Sequence, residues 1–274
     1  MVPTSAVVMM AVNAFLGFVL PVGLAWYMCK SLHVRLSVIL IGAATFVVFA
    51  LVLESLVHMA VLNGPQGAVI RDNVWYFATY GGLMAGLFEE TGRFLSMKYL
   101  LRRCPSNRFT ALGYGVGHGG VEMIIVFGVT MIGNLVMSMM INGGQTGRLL
   151  STVPAEAQIQ MQTVVQQLQD ATAATYLLGL CERLSAIVIH LGLSLIVFSA
   201  VRKGGRWLWL FPAAIVLHAL VDGAAVLLNH SVSTAVLELI VFLFALVVFC
   251  LGIVVSRNME EYEVEGIGTL SEEK

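Results

Sequence analysis

Long apolar runs, broken at a few places by charge, are the first pattern in this chain. Seven apolar segments can be drawn, at residues 5–29, 36–62, 74–100, 110–140, 174–201, 207–228 and 232–255. Each is long enough to cross a bilayer as a helix, which takes about 20 apolar residues. A chain in lipid must satisfy its backbone internally, and a helix does so within one segment. The pattern predicts an all-α fold, a polytopic transmembrane helical bundle of about seven helices. Neither an internal repeat nor a second, soluble domain is visible.

The connecting loops alternate in charge. Lys30 and Arg35 follow the first segment, Lys98, Arg102, Arg103 and Arg108 the third, Arg202, Lys203 and Arg206 the fifth, and Arg257 the seventh. The opposite loops hold only Arg71 and Arg148. The positive-inside rule places the N-terminus outside and the C-terminus in the cytoplasm. The start of the chain lacks a basic n-region and an A-x-A cleavage site, so it reads as a retained first helix. Residues 1–258 form one transmembrane unit, and 259–274 an acidic cytoplasmic tail. A long external loop, 142–172, contains PAEAQIQMQTVVQQLQDA, in which Ile159, Val164, Val165 and Leu168 stand among polar residues. That spacing predicts a short amphipathic helix, lying on the outer face or solvated as a linker.

Composition agrees with a membrane protein. Hydrophobic residues make up 58% of the chain and charged residues 11%, against about 25% charged in soluble domains. A net charge of −1 gives no footing for nucleic acid. Cys29, Cys104, Cys181 and Cys250 are scattered without a C-x-x-C, which argues against a disulfide framework or a cysteine zinc site.

The polar residues inside the apolar segments carry the chemistry. FEETGRFL, residues 88–95, sets Glu89, Glu90 and Arg93 within five positions of the third segment. An ionised side chain at mid-bilayer costs about 2.5–3.5 kcal/mol on insertion scales, so such a cluster signals function. Glu89 and Glu90 point about 100° apart on a helix. Arg93 reaches either, so one Glu can be anchored by it while the other faces a cavity. His118 and Glu122 are i,i+4 in the fourth segment, as are His218 and Asp222 in the sixth, and each pair shares a face. The fifth segment holds Glu182, Arg183 and His190.

Depth adds a second constraint. Counted from the cytoplasmic helix ends at 1.5 Å per residue, Glu90 lies roughly 15 Å deep, His118 roughly 13 Å, His190 roughly 16 Å and His218 roughly 18 Å. Four helices thus converge on one layer. Glu54 and Arg183 both fall near 27 Å, making them a candidate structural ion pair. His58, near a helix end, reads as an interhelical hydrogen bonder. Glu238 reads as an interfacial or packing residue. Gly113, Gly115, Gly117, Gly119 and Gly120 suit either close helix packing or the approach of a substrate backbone to His118. Pro212 predicts a kink before His218.

A Glu pair with several His suits water activation: a carboxylate as general base, and His residues that donate to an oxyanion or bind a metal. The absence of G-x-S-x-G and H-E-x-x-H leaves serine-nucleophile and zincin schemes without support. Two other classes fit the same groups. One is a proton- or ion-coupled transporter using them as a relay. The other is a non-catalytic adaptor or immunity-type membrane protein.

FEETGR, GHGGVE, ERLSAIVIH and HALVD together resemble the YhfC family of intramembrane metalloproteases over nearly the whole chain. The chain is also similar, more distantly, to the CAAX-prenyl endopeptidase and bacteriocin-processing family and to the PrsW proteases. The CAAX-type pattern is E-E-x-x-x-R, whereas here Arg93 comes one residue earlier. His218 and Asp222 match the CAAX-type H-x-x-x-D. The resemblance implies an endopeptidase acting near the cytoplasmic leaflet of a prokaryotic plasma membrane, with lipid around it and a peptide or membrane protein as substrate. It implies that Glu89 or Glu90 activates water with His118, and that His218 and Asp222 bind metal or stabilise the oxyanion. Arg93 and Glu122 complete the catalytic set. His118, His190 and His218 are the implied metal ligands, for zinc if a metal is used; the CAAX-type relatives resemble metal-free, glutamate-dependent peptidases, so both versions stay open.

Overall fold

A computed structural model describes residues 1–259; apart from Met259, the expected acidic tail lies outside the described residues. Among these the chain is helical without strands. Seven long helices run in order: α1 Thr4–Ser31, α2 Leu36–Leu62, α3 Val74–Tyr99, α4 Arg108–Asn142, α5 Ala173–Lys203, α6 Gly205–Leu228 and α7 Thr234–Val255. Six are long and apolar enough to cross a membrane. The seventh, α3, has 26 residues, about 39 Å of helix, but also carries Glu89, Glu90, Arg93 and Lys98.

Side-chain caps start four of these helices where the sequence offers them. Asn73 accepts from the backbone N–H groups of Trp75 and Tyr76, Asn107 from Thr110, and Ser233 from Val236. Thr172 and Thr175 form a reciprocal capping box at α5. Gly204, with φ of 60°, ends α5, a conformation glycine adopts without penalty. Pro212 falls in the first turn of the α-helical part of α6, Leu210–Leu228, after a 3-10 turn over Gly205–Trp209. A missing N–H costs little there, so the expected kink before His218 gives way to a helix start.

Apolar burial alone cannot pull helices together in lipid, so close contact of small residues does. A Cβ on Gly117 of α4 would meet the carbonyl of Ile39 in α2, and Gly82 and Gly86 of α3 lie against the α6 backbone at Ala219 and Ile215. Gly192 of α5 and Gly252 of α7 oppose each other in the same way. The glycines of α4 are thus a packing surface. They place α5 at the centre, where Leu193, Leu195, Val197 and Phe198 are fully buried. Both α2 and α4 contain a π-helical stretch, Val47–Glu54 and Met123–Val129.

The basic loops share one end of the bundle. Arg202 donates to the carbonyls of Leu101 (2.6 Å) and Cys104 (2.9 Å), and Lys203 donates to those of Val255 and Arg257 (both 2.9 Å). His33 and Arg35 face Pro105 and Asn107 across a small cleft. At the other end, Val2 and Asn142 exchange hydrogen bonds of 2.7 and 3.0 Å. The 142–172 segment forms short helices, Thr146–Ser151 and Gln158–Asp170. In the second, Val165 and Leu168 are buried against the protein while Ile159 is 75% exposed.

Candidate active site

The two adjacent carboxylates of α3 have separate surroundings. Glu90 is fully buried and bidentate with Arg93: Nε donates at 2.9 Å and an Nη at 3.2 Å. The i,i+3 spacing is what lets the planar fork close on its own helix. Arg93 also donates to the Ser194 hydroxyl at 2.6 Å and to the His190 carbonyl at 3.3 Å. His218 Nδ1 meets Glu90 at 2.9 Å. Glu90 is thus an anchored strut, and its oxygens are occupied.

Glu89, about 100° round the helix, faces a cavity of about 460 Å³. Its Oε2 lies 2.8 Å from His118 Nε2. His118 is fully buried, set edge-on to Phe46 at 5.2 Å and beside Tyr114. Its Nδ1 is buried without a hydrogen-bond partner, so the ring is aimed by packing on one side and by Glu89 on the other.

His190 is fixed by charge on both nitrogens. Arg93 donates to Nδ1 at 3.1 Å, and an arginine is only a donor. The proton therefore sits on Nε2, which donates to Glu122 at 2.6 Å. Glu122 also accepts from Arg183 at 2.9 Å, and Arg183 donates to Glu182. The expected pairing of Glu54 with Arg183 is not formed. Glu54 instead accepts from His58 at 3.1 Å, and His58 meets Tyr80 at 2.9 Å. The equal depths of Glu54 and Arg183 could not tell that Glu122, one turn beyond His118, lies nearer to Arg183.

All eight residues singled out by sequence meet in one polar cluster. Glu89, Glu122, His190, His218 and Asp222 line the cavity; His118 lies behind Glu89, and Glu90 and Arg93 lie beneath. His218 Nε2 is 3.5 Å from Asp222. One member was missed: Ser194, a lone serine in an apolar stretch, whose only sequence signal is its position four residues after His190.

Donor atoms of Glu89, His118 and His190 lie within 4.8 Å of one another. Two nitrogens and a carboxylate oxygen, beside a cavity that Glu89 and His190 line, fit a divalent ion by type and spacing. This differs from the expected three-histidine set, because His218 turns its nitrogens to Glu90 and Asp222. Ligation by His190 through Nε2 would exchange its bond to Glu122 for the ion.

Fold and site define a class: an integral membrane protein whose helices bury a Glu/His centre compatible with a metal ion. Within that class, the chain belongs to the YhfC intramembrane metalloprotease family, whose profile matches residues 16–242. It is 38% identical over 249 residues to the uncharacterized membrane protein YhfC of Bacillus subtilis (strain 168), covering 89% of this chain and 94% of that relative. No solved structure matches it significantly.

Proposed function

We propose that this protein is an intramembrane endopeptidase that hydrolyses a peptide bond of a membrane-embedded or membrane-proximal substrate. The observation that carries this reading is the asymmetry of the carboxylates: Glu90 is locked by Arg93 and His218, while Glu89, held through Oε2 by His118, looks into the cavity. A buried, oriented carboxylate beside a cavity suits a general base. Glu89 takes a proton from water as the water oxygen bonds to the scissile carbonyl carbon. The same proton passes to the amide nitrogen as the C–N bond breaks. His118 keeps Glu89 in place for both transfers. His218, between Glu90 and Asp222, donates from both ring nitrogens when doubly protonated, and its Nε2–H would exchange the 3.5 Å contact with Asp222 for an oxyanion formed in the cavity.

Glu89, His118 and His190 would hold a divalent ion, zinc by ligand type, which when bound would polarise water and the scissile carbonyl. Membership of a family described as intramembrane metalloproteases supports hydrolysis over a proton- or ion-coupled transporter. The N-terminus is assigned outside and the C-terminus inside by the four basic loops at one end.

The test is reconstitution with labelled transmembrane peptides. Wild-type protein is expected to cleave a subset of them, and Glu89→Gln and His118→Ala to abolish cleavage. Cleavage undiminished in both variants would overturn the assignment.

A further inference from the structure

The cavity has a direction. From Glu89, Glu122 and His190 it runs past Glu182, Arg183 and Ala186 to Thr175, Asn229 and Thr234. These last three lie at the start of α5, the end of α6 and the start of α7, all remote from the basic loops. Thr175 and His190 are separated by about 22 Å along α5 at 1.5 Å per residue. That length takes about seven residues of extended chain.

The opposite direction is shut. Beneath the Glu/His layer lies the buried Arg93 with its bonds to Glu90, Ser194 and His190. Below it Ser96 meets the Tyr114 hydroxyl at 2.9 Å, and Met97, Leu101 and Phe198 are fully buried. Sideways, the α3–α6 seam is closed by Gly82 and Gly86, while the contact of Gly192 with Gly252 joins α5 to α7 on the basic-loop side of His190.

Charge also selects. Glu89, Glu122, Glu182, Asp222 and Glu238 line the cavity, and Arg183 is the only Lys or Arg among the lining residues. Arg183 is shared between Glu122 and Glu182. Glu238 Oε2 is buried without a hydrogen-bond partner, and the Asp222 side chain is 42% exposed. Low-dielectric walls lined by one sign of charge raise the local concentration of the opposite sign.

We propose that substrate reaches Glu89 from the end of the bundle opposite the basic loops, between α5, α6 and α7, as an extended polypeptide segment carrying Lys or Arg. The word substrate rests on the peptidase reading; the route and its charge preference are properties of the cavity and are tested without activity.

The experiment uses the full chain, with its four cysteines replaced, in right-side-out and in inverted membrane vesicles. Ala186→Cys reports the middle of the cavity, Val226→Cys gives a second probe of the same space from α6, and Arg103→Cys marks the basic end. Membrane-impermeant methanethiosulfonates are added from each side, one with a trimethylammonium group and one with a sulfonate. The thiols of Ala186→Cys and Val226→Cys are expected to react from the side opposite to that of Arg103→Cys. The cationic reagent should react about tenfold or more faster at the two cavity thiols than the anionic one, after correction for free-thiol reactivity. Glu182→Gln with Glu238→Gln should reduce that preference several-fold. Reaction of both cavity thiols from the same side as the Arg103→Cys thiol, or from neither side, overturns the route. Equal rates for the two reagents overturn the basic segment. Failure of the peptidase reading would show instead as the absence of any Glu89-dependent cleavage and would leave the labelling unchanged.

Discussion

Glu89 Oε2 and His118 Nε2 stand 2.8 Å apart and link α3 to α4 through their side chains, with Glu89 on the cavity wall. The next residue, Glu90, is spent on Arg93 and His218. Neighbours in sequence therefore have different settings: Glu90 is locked, and Glu89 is the one proposed for the chemistry.

Substituting each glutamate should separate the two. Glu89→Gln is expected to lower cleavage about 10²–10⁴-fold, the range for a lost general base, with little change in resistance to unfolding. Glu90→Gln leaves buried Arg93 without its charge partner and should cost about 3–5 kcal/mol. Steric-trapping unfolding and peptide cleavage, measured on both variants, check the split; equal losses of stability would contradict it.

Arg93→Lys keeps the charge and loses the fork. One ammonium cannot replace the bidentate contact with Glu90 together with the bonds to Ser194 and His190. The expected loss is about 1–3 kcal/mol, the cost of leaving buried acceptors unpaired. The readout is a lower unfolding midpoint in mild detergent, and a wild-type midpoint would count against the fork.

Glycine substitutions in α4 should diverge by position. A Cβ at Gly117 meets the Ile39 backbone, whereas one at Gly133 meets nothing within 4 Å. Gly117→Ala is expected to destabilise by about 1–3 kcal/mol through overpacking. Gly133→Ala should be neutral or gain up to about 1 kcal/mol from helix propensity. Thermal unfolding of the two variants side by side tests this.

Metal binding discriminates between the two possible donor sets. Purified protein equilibrated with zinc and then desalted is expected to retain it through Glu89, His118 and His190. His118→Ala and His190→Ala should lower affinity sharply, while His218→Ala should retain the ion. Elemental analysis gives the answer without an activity assay. Zinc lost equally in His218→Ala would favour the three-histidine set instead.

Much of this was legible in the chain. Apolar runs and alternating loop charge depend on one-dimensional composition, because the bilayer acts on each segment separately. The i,i+4 spacing of His118 with Glu122 and of His218 with Asp222 follows from helix geometry alone, as does the divergence of Glu89 from Glu90. Even the common layer of Glu90, His118, His190 and His218 could be counted from the helix ends.

Partner choice could not be counted. Arg183 and Glu54 share a depth, yet Arg183 takes Glu122 and Glu54 takes His58, because helix rotation and neighbour order are set by glycine contacts such as Gly117 with Ile39. The same packing chose which glutamate Arg93 anchors, brought in Ser194, and left the cavity open at one end. The sequence alone determined a membrane bundle with a Glu/His layer, because hydropathy and helical period are local properties. The tertiary structure alone decided that Glu89 faces the cavity and which helices line it, since both depend on how seven helices rotate against one another.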